Sequence, residues 1–289
     1  MKVAAIRMQG RPFVVRVDEE AGMAFPFDIS ESQAQHGVAG LLDQADLPET
    51  LPGISLGDVE LLAPFPLPAR NIFCVGKNYY EHAHEFSRSG FDSSAAAGVI
   101  PKYPIIFSKV PDSVIATNSD VLIDPRVSTA IDYEAELAVV IGKSGRGISR
   151  EDAFDHVWGY TIINDVTARD MQGRYSQWLI GKSQDTFCPM GPWVVTKDSF
   201  DLEAASVRCF VNGEIRQNAK VSQLIFDIPT IISTLSEGLT LNVGDIIATG
   251  TPAGVGIGFD PPRYLKAGDT VRVEIDGIGA IENRFSNMN

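Results

Sequence analysis

Two glutamates, Glu134 and Glu136, stand two residues apart in the run Ile131-Asp-Tyr-Glu-Ala-Glu-Leu-Ala-Val-Val-Ile-Gly142. Val, Ile and Tyr are frequent there and no Pro or Gly interrupts it before Gly142, so the run reads as a strand. Side chains two apart on a strand share a face, which sets both carboxylates on one side. Leu137 to Ile141 is apolar at every position, the pattern of a strand covered on both faces. Like charges entering such a core are costly unless protons or a cation compensate them. A divalent metal is the simplest compensation; a solvated strand edge beside Lys143 or Arg146 is the alternative. Asp165 closes a second apolar run, Trp158-Gly-Tyr-Thr-Ile-Ile-Asn-Asp165, and supplies a third carboxylate. An all-oxygen set of Glu134, Glu136 and Asp165 suits Mg²⁺ or Mn²⁺, with Ca²⁺ also compatible, over Zn²⁺.

His82 and Glu85 are three apart in Tyr79-Tyr-Glu-His-Ala-His-Glu-Phe86, a short helix by pattern, so they share one face. A carboxylate holding one imidazole nitrogen leaves the other free to move a proton, which makes a general-base dyad. The bland reading is a surface helix with two histidines and two glutamates. His84 faces away from His82 and fits that reading, and His36 and His156 have no evident partner. Lys182, in Leu179-Ile-Gly-Lys-Ser-Gln-Asp-Thr-Phe187, follows a short apolar run and could stabilise an oxyanion or protonate a carbanion; solvent exposure is its default. The Gly-rich turn Ala248-Thr-Gly-Thr-Pro-Ala-Gly-Val-Gly256 offers amides and the Thr251 hydroxyl to a carboxylate or phosphate. It lacks the P-loop and dinucleotide signatures, and no G-x-S-x-G elbow is present.

These groups need a framework. With 289 residues the chain suits one large domain, or a small one plus a larger one. A net charge of −13, with no basic cluster, argues against nucleic-acid binding. No window has 18 uninterrupted apolar residues, and the N-terminus resembles no signal or transit peptide. Cys74, Cys188 and Cys209 are odd in number and widely spaced, which fits a reducing compartment and a cytoplasmic protein.

Strands read at Val3–Ile6, Phe13–Val17, Ile72–Val75, Pro104–Lys109, Val157–Ile163, Trp193–Thr196, Val207–Val211 and Ile246–Thr249, with a short helix near Gly37–Gln44. A longer helix lies at 228–237, where Ile228, Ile231, Ile232 and Leu235 keep helical spacing between Pro229 and Gly238. Residues 87–101, rich in Ser, Gly and Ala, read as a mobile loop. The alternating prolines of Leu62–Ala69 cannot pair as a central strand, so a boundary there separates a small N-terminal α/β domain, 1–68, from a main domain, 69–289. Strands outnumber helices without βαβ alternation, so the class is α+β, mainly β.

Five ordered blocks carry a specific resemblance: Gly76-Lys-Asn-Tyr79 with His82 and Glu85, Asp132-Tyr-Glu-Ala-Glu-Leu137, Asn164-Asp-Val-Thr-Ala-Arg-Asp-Met-Gln172, Gly181-Lys-Ser-Gln-Asp-Thr-Phe187 and Thr249-Gly-Thr-Pro-Ala-Gly-Val255. Together they resemble the fumarylacetoacetate hydrolase superfamily over about residues 71–285. The resemblance implies a β-roll of mixed sheets, a homodimer, and a metal held by Glu134, Glu136 and Asp165. It implies a water-activating dyad in His82 and Glu85 on a lid, with Lys182 beside them. Lys109, Arg169, Gln172 and Thr251 match its substrate contacts. Val166 and Thr167 stand where true fumarylacetoacetases have Trp and Ser, and the chain is similar instead to the short members.

The implied activity is metal-dependent hydrolysis of a C–C bond in a small 2-oxo acid of acylpyruvate or fumarylpyruvate type. Oxaloacetate decarboxylation and isomerisation or hydration of 2-hydroxymuconate-type diacids share the same inner residues. A non-catalytic small-molecule-binding member is the alternative of another class.

Overall fold

The computed structural model describes residues 1–42, 44, 46–88 and 100–288. Among the described residues, one twelve-stranded sheet and one five-stranded sheet dominate, and a two-stranded ribbon joins them. In the large sheet the spatial order is Ile54–Ser55, Met23–Pro26, Arg11–Asp18, Lys2–Met8, Cys188–Thr196, Val157–Asn164, Ala135–Ile141, Ile246–Ala248, Ile72–Gly76 and Ile105–Lys109, with two short strands off this path. The smaller sheet runs Glu214–Lys220, Ser206–Val211, Thr270–Ile275, Gly279–Asn287 and Val121–Ile123. Both sheets are mixed. Ile246–Ala248 pairs parallel with Ile72–Gly76, and Gly279–Asn287 parallel with Val121–Ile123, inside largely antiparallel ladders. The expected mainly β fold with mixed sheets is the one observed.

The strand Ala135–Ile141 is buried at every position. Leu137, Val139 and Ile141 enter the core that reaches the five-stranded sheet, together with Val207 and Val273. Ala138 and Val140 turn to the opposite face, where Leu41 and Phe65 cover them. Two apolar layers thus explain why this stretch carries no polar alternation. The expected helix at 228–237 runs Ile228–Gly238; Asp227 caps it by accepting from the Thr230 amide at 2.9 Å.

Two sequence expectations change. The run 131–142 is not one strand: Ile131–Asp132 and Ala135–Ile141 are separated by Tyr133 and Glu134. Side chains replace ladder bonds at the break. The amides of Tyr133, Glu134 and Ala135 donate to Asp132 Oδ1 (2.9 Å), Asn164 Oδ1 (3.0 Å) and Gln217 Oε1 (3.0 Å). The Leu62–Ala69 connector is irregular, as the prolines require, but Lys2–Met8 pairs antiparallel with Cys188–Thr196. A division at residue 68 therefore cuts through one continuous sheet. No described helix is long and apolar enough to cross a membrane.

Strand packing is tight where the central strands cross. A Cβ added at Gly159 would lie 2.3 Å from the Val195 carbonyl oxygen. Gly159→Ala should destabilise the fold by about 1–3 kcal/mol through overpacking, read as a lowered urea midpoint. An unchanged midpoint would show that the strands separate there without cost.

Candidate active site

The break at Tyr133–Glu134 turns Glu134 out of the ladder, while Glu136 stays inside it, facing the same way. Asp165 follows the neighbouring strand Val157–Asn164, and its amide donates to the Glu134 carbonyl at 2.8 Å. Glu134, Glu136 and Asp165 are almost fully buried, at 4%, 1% and 0% exposure. One carboxylate oxygen from each lies within 4.8 Å of the others. That spacing falls inside the roughly 4–5 Å diameter of the oxygen shell around a hard divalent cation.

Three buried cations surround the carboxylates. Lys182 Nζ donates to Glu134 Oε2 (2.7 Å) and Asp165 Oδ2 (2.6 Å). Lys109 Nζ meets Asp165 Oδ1 at 2.7 Å. Arg169 pairs through Nε with Asp132 Oδ2 (2.8 Å) and through Nη1 with Glu134 Oε1 (2.7 Å). Gln172 Oε1 accepts from the same Nη1 at 3.1 Å, while Arg169 Nη2 is buried without a hydrogen-bond partner among the described residues. Among the described residues Glu136 pairs with no cation; its Oε2 accepts the Gly250 amide at 2.8 Å.

The electrostatics diverge accordingly. Burial alone would raise the Glu134 pKa, but Lys182 and then Arg169 outweigh it and hold the acid at about 2. For Glu136, burial raises the pKa well above the ordinary value, and the charges of Asp165 and Glu134 raise it further. Burial would lower the Lys182 pKa, yet Asp165 and Glu134 keep it above normal, so the ammonium is a fixed charge rather than a ready proton donor. Four carboxylates (Asp132, Glu134, Glu136, Asp165) are buried here with the cations Lys109, Arg169 and Lys182, and Lys77 adds a further cation on the cavity wall. A hard divalent cation fits the all-oxygen set of Glu134, Glu136 and Asp165.

The dyad forms on the helix Tyr80–Arg88. His82 Nδ1 lies 3.2 Å from Glu85 Oε2, and His82 is 4% exposed. The Gly254 amide donates to Glu85 Oε1 at 3.0 Å, fixing the carboxylate. His84 is exposed and His156 Nδ1 donates to the Lys143 carbonyl at 2.7 Å, so neither joins the site. His82, Glu134, Glu136, Arg169, Gln172, Lys182 and Thr251 line one cavity. Its central free space is about 10 Å³, room for about one water. Of the segment 87–101 read as a lid, residues 89–99 lie outside the described residues.

Two of the expected site groups already have partners within the fold. Lys109 does not line the cavity. Its ammonium also meets the Val166 carbonyl at 3.1 Å and the Lys182 carbonyl, so it is a strut behind Asp165. The amides of the Gly-rich turn do not await an external anion: Gly250 serves Glu136, Gly254 serves Glu85, and Gly256 and Ile257 serve Asp132 at 2.6 and 3.0 Å. Thr251 does reach the cavity, and its Oγ1 accepts from Gln217 Nε2 at 2.8 Å.

Sequence reasoning missed Asp132, Gln217 and Lys77. Asp132 was visible as the first residue of its acidic motif but had no role there. Lys77, 3% exposed, lines the cavity from a left-handed backbone with φ of 53°, an uncommon conformation for a residue with a Cβ. Gln217 lies in a strand far along the chain, with no local signal. The three cysteines are buried and free, and burial pushes the Cys188 thiol up to about 12, which suits packing and not nucleophilic attack.

Burial, then the charges of Asp165 and Glu134, raise the Glu136 pKa, so the fold loses stability from this group as pH rises above the ordinary value of about 4.5. Glu136→Gln, with chelator present, should therefore raise the thermal midpoint at pH 7 by a few degrees. The gain should fade as pH falls below about 4.5. A midpoint lowered at pH 7 would show that the fold does not disfavour the ionised Glu136.

A family model described as fumarylacetoacetate (FAA) hydrolase, C-terminal, matches residues 71–286. Oxaloacetate tautomerase YisK of Bacillus subtilis (strain 168) is 52% identical over 232 residues, 80% of this chain and 74% of that one. A fumarylacetoacetate hydrolase structure from psychrophilic Exiguobacterium antarcticum matches with a TM-score of 0.85 at 38% identity, covering 100% of both chains. A 2-hydroxyhepta-2,4-diene-1,7-dioate isomerase structure from Mycobacterium marinum gives 0.78 at 32% identity, covering 100% of this chain and 99% of that one.

Proposed function

The chain belongs to the fumarylacetoacetate hydrolase superfamily, and from that premise we propose that it is a metal-dependent enzyme that moves a proton between carbon and oxygen in a small 2-oxo diacid of the oxaloacetate type. The observation that carries this reading is the meeting of two devices in one cavity, a proton-exchanging His82–Glu85 pair and a buried three-carboxylate cluster. The relative at 52% identity, an oxaloacetate tautomerase, and the isomerase structure share this class of chemistry by name.

When bound to Glu134, Glu136 and Asp165, a divalent cation supplies Lewis-acid polarisation of the substrate's 2-oxo oxygen. The two positive charges that the cation would add favour an anionic substrate. Arg169 Nη2 is the donor positioned for a substrate carboxylate, and Thr251 and Gln172 flank it on the cavity wall. Glu85 occupies His82 Nδ1, so Nε2 takes the proton from C3 of the substrate. The electron pair released from that C–H bond becomes the C2–C3 double bond, and the carbonyl pair moves onto the 2-oxo oxygen. His82 then returns its proton to that oxygen, and the enol leaves; the reverse sequence gives the keto acid. Lys182 stays charged throughout and lowers the energy of the developing oxyanion.

Hydrolysis of an acylpyruvate, the activity expected from the sequence, is the second reading. The single-water space beside the dyad favours it, since His82 would then take its proton from water.

Enol–keto interconversion of oxaloacetate, followed by enol absorbance with Mg²⁺ or Mn²⁺, tests the first reading beside acetylpyruvate and fumarylpyruvate cleavage. Chelator should abolish turnover, and His82→Ala should lower kcat by about 10²–10⁴-fold with the fold intact. Full activity in chelator, or in His82→Ala, would remove this mechanism. Cleavage of acylpyruvates without tautomerase activity would select the second reading.

A further inference from the structure

Each oxygen of Glu134 and of Asp165 already has a cationic partner. Glu134 Oε1 takes Arg169 and Oε2 takes Lys182; Asp165 Oδ1 takes Lys109 and Oδ2 takes Lys182. A cation bound between these carboxylates and Glu136 would compete with those partners for the same oxygens. The three differ in how they are held. Lys109 is also tied to the Val166 and Lys182 carbonyls, and Arg169 to Asp132 and Gln172. Among the described residues, the Lys182 ammonium donates to Glu134 and Asp165 alone, and it bridges the two ligands from the cavity side. The same ammonium already stands over the Phe107 ring, Nζ 4.9 Å from its centre, so it keeps a partner on the cavity wall when the carboxylates are taken.

We propose that Lys182 and the metal compete for the same carboxylate oxygens: the ammonium neutralises Glu134 and Asp165 in the metal-free protein, and metal binding moves it toward Phe107 and the substrate space. Lys182 is thus delivered to the substrate only when the cation is in place, and the protein tolerates the empty cluster without unfolding. The backbone need not move, because the Lys182 amide and carbonyl remain held by Trp178 and Lys109. This inference rests on the metal reading above and adds the exchange.

Mn²⁺ titration by calorimetry tests it on the full chain. Lys182→Met should bind Mn²⁺ at least about tenfold more tightly than the wild type, because a charge-assisted competitor has gone. Lys109→Met removes the same charge from Asp165 but leaves Glu134 Oε2 and Asp165 Oδ2 occupied by Lys182, so its affinity should rise less. Equal tightening in both variants would reduce the effect to charge alone and overturn the exchange, as would unchanged or weaker binding in Lys182→Met. A crystal structure of the wild type with Mn²⁺ decides independently of any variant. The Lys182 ammonium should lie beyond about 4 Å of Glu134 and Asp165; an ammonium still bridging them beside the ion overturns the proposal. Absence of Mn²⁺ binding in the wild type and in Lys182→Met would instead sink the metal reading itself.

Discussion

Four carboxylates buried at one point are the constraint around which the rest of this molecule is arranged. Each would be expensive to ionise alone in a low-dielectric interior. The fold meets that cost with cations and amides drawn from distant parts of the chain. Lys109 comes from the edge strand Ile105–Lys109, Arg169 and Lys182 from short helices after Asp165, and amides from the turn beyond Ile246–Ala248. None of these segments stabilises the cluster by itself, so the electrostatics fix their relative positions as much as apolar packing does.

The imbalance left over is functional material. Glu134 is strongly ionised and Glu136 resists ionisation although only one residue separates them. Environments that push two like acids apart are a recurring mark of chemical sites. Beside them, Glu85 is held by an amide of the same turn that serves Glu136, so the dyad and the acidic cluster share one piece of backbone. Asn78 adds a second link: its side chain donates to the carbonyls of Thr249 and Phe226 at 2.7 and 3.0 Å, just before the helix that carries His82.

Much of this was legible in the residue order. Glu134, Glu136 and Asp165 stood out because charge interrupted apolar runs, and burial of both faces followed from Leu137–Ile141. The His82–Glu85 pair followed from helical spacing, and the 228–238 helix from its apolar stripe and its flanking Pro and Gly. The failures share a cause. Periodicity does not record side chains that substitute for ladder hydrogen bonds, so the break at Tyr133–Glu134, made by Asn164 and Gln217, left no local trace. Lys109 was expected at the substrate through the family resemblance alone; nothing in the residue order shows its partners, which are Asp165 and two carbonyls. The Gly-rich turn was recognised as a donor of amides, but its acceptors lay more than a hundred residues away at Glu136 and Asp132, and at Glu85.

Asp132 holds the Arg169 guanidinium with one oxygen and draws in the amides of Gly256 and Ile257 with the pair. A lineage that lost this aspartate would need, at the same step, a neutral side chain at 169 and a new course for the loop at 256. Loss of Asp132 alone would leave a buried guanidinium and two amides without their acceptor, so the three positions are coupled through one side chain.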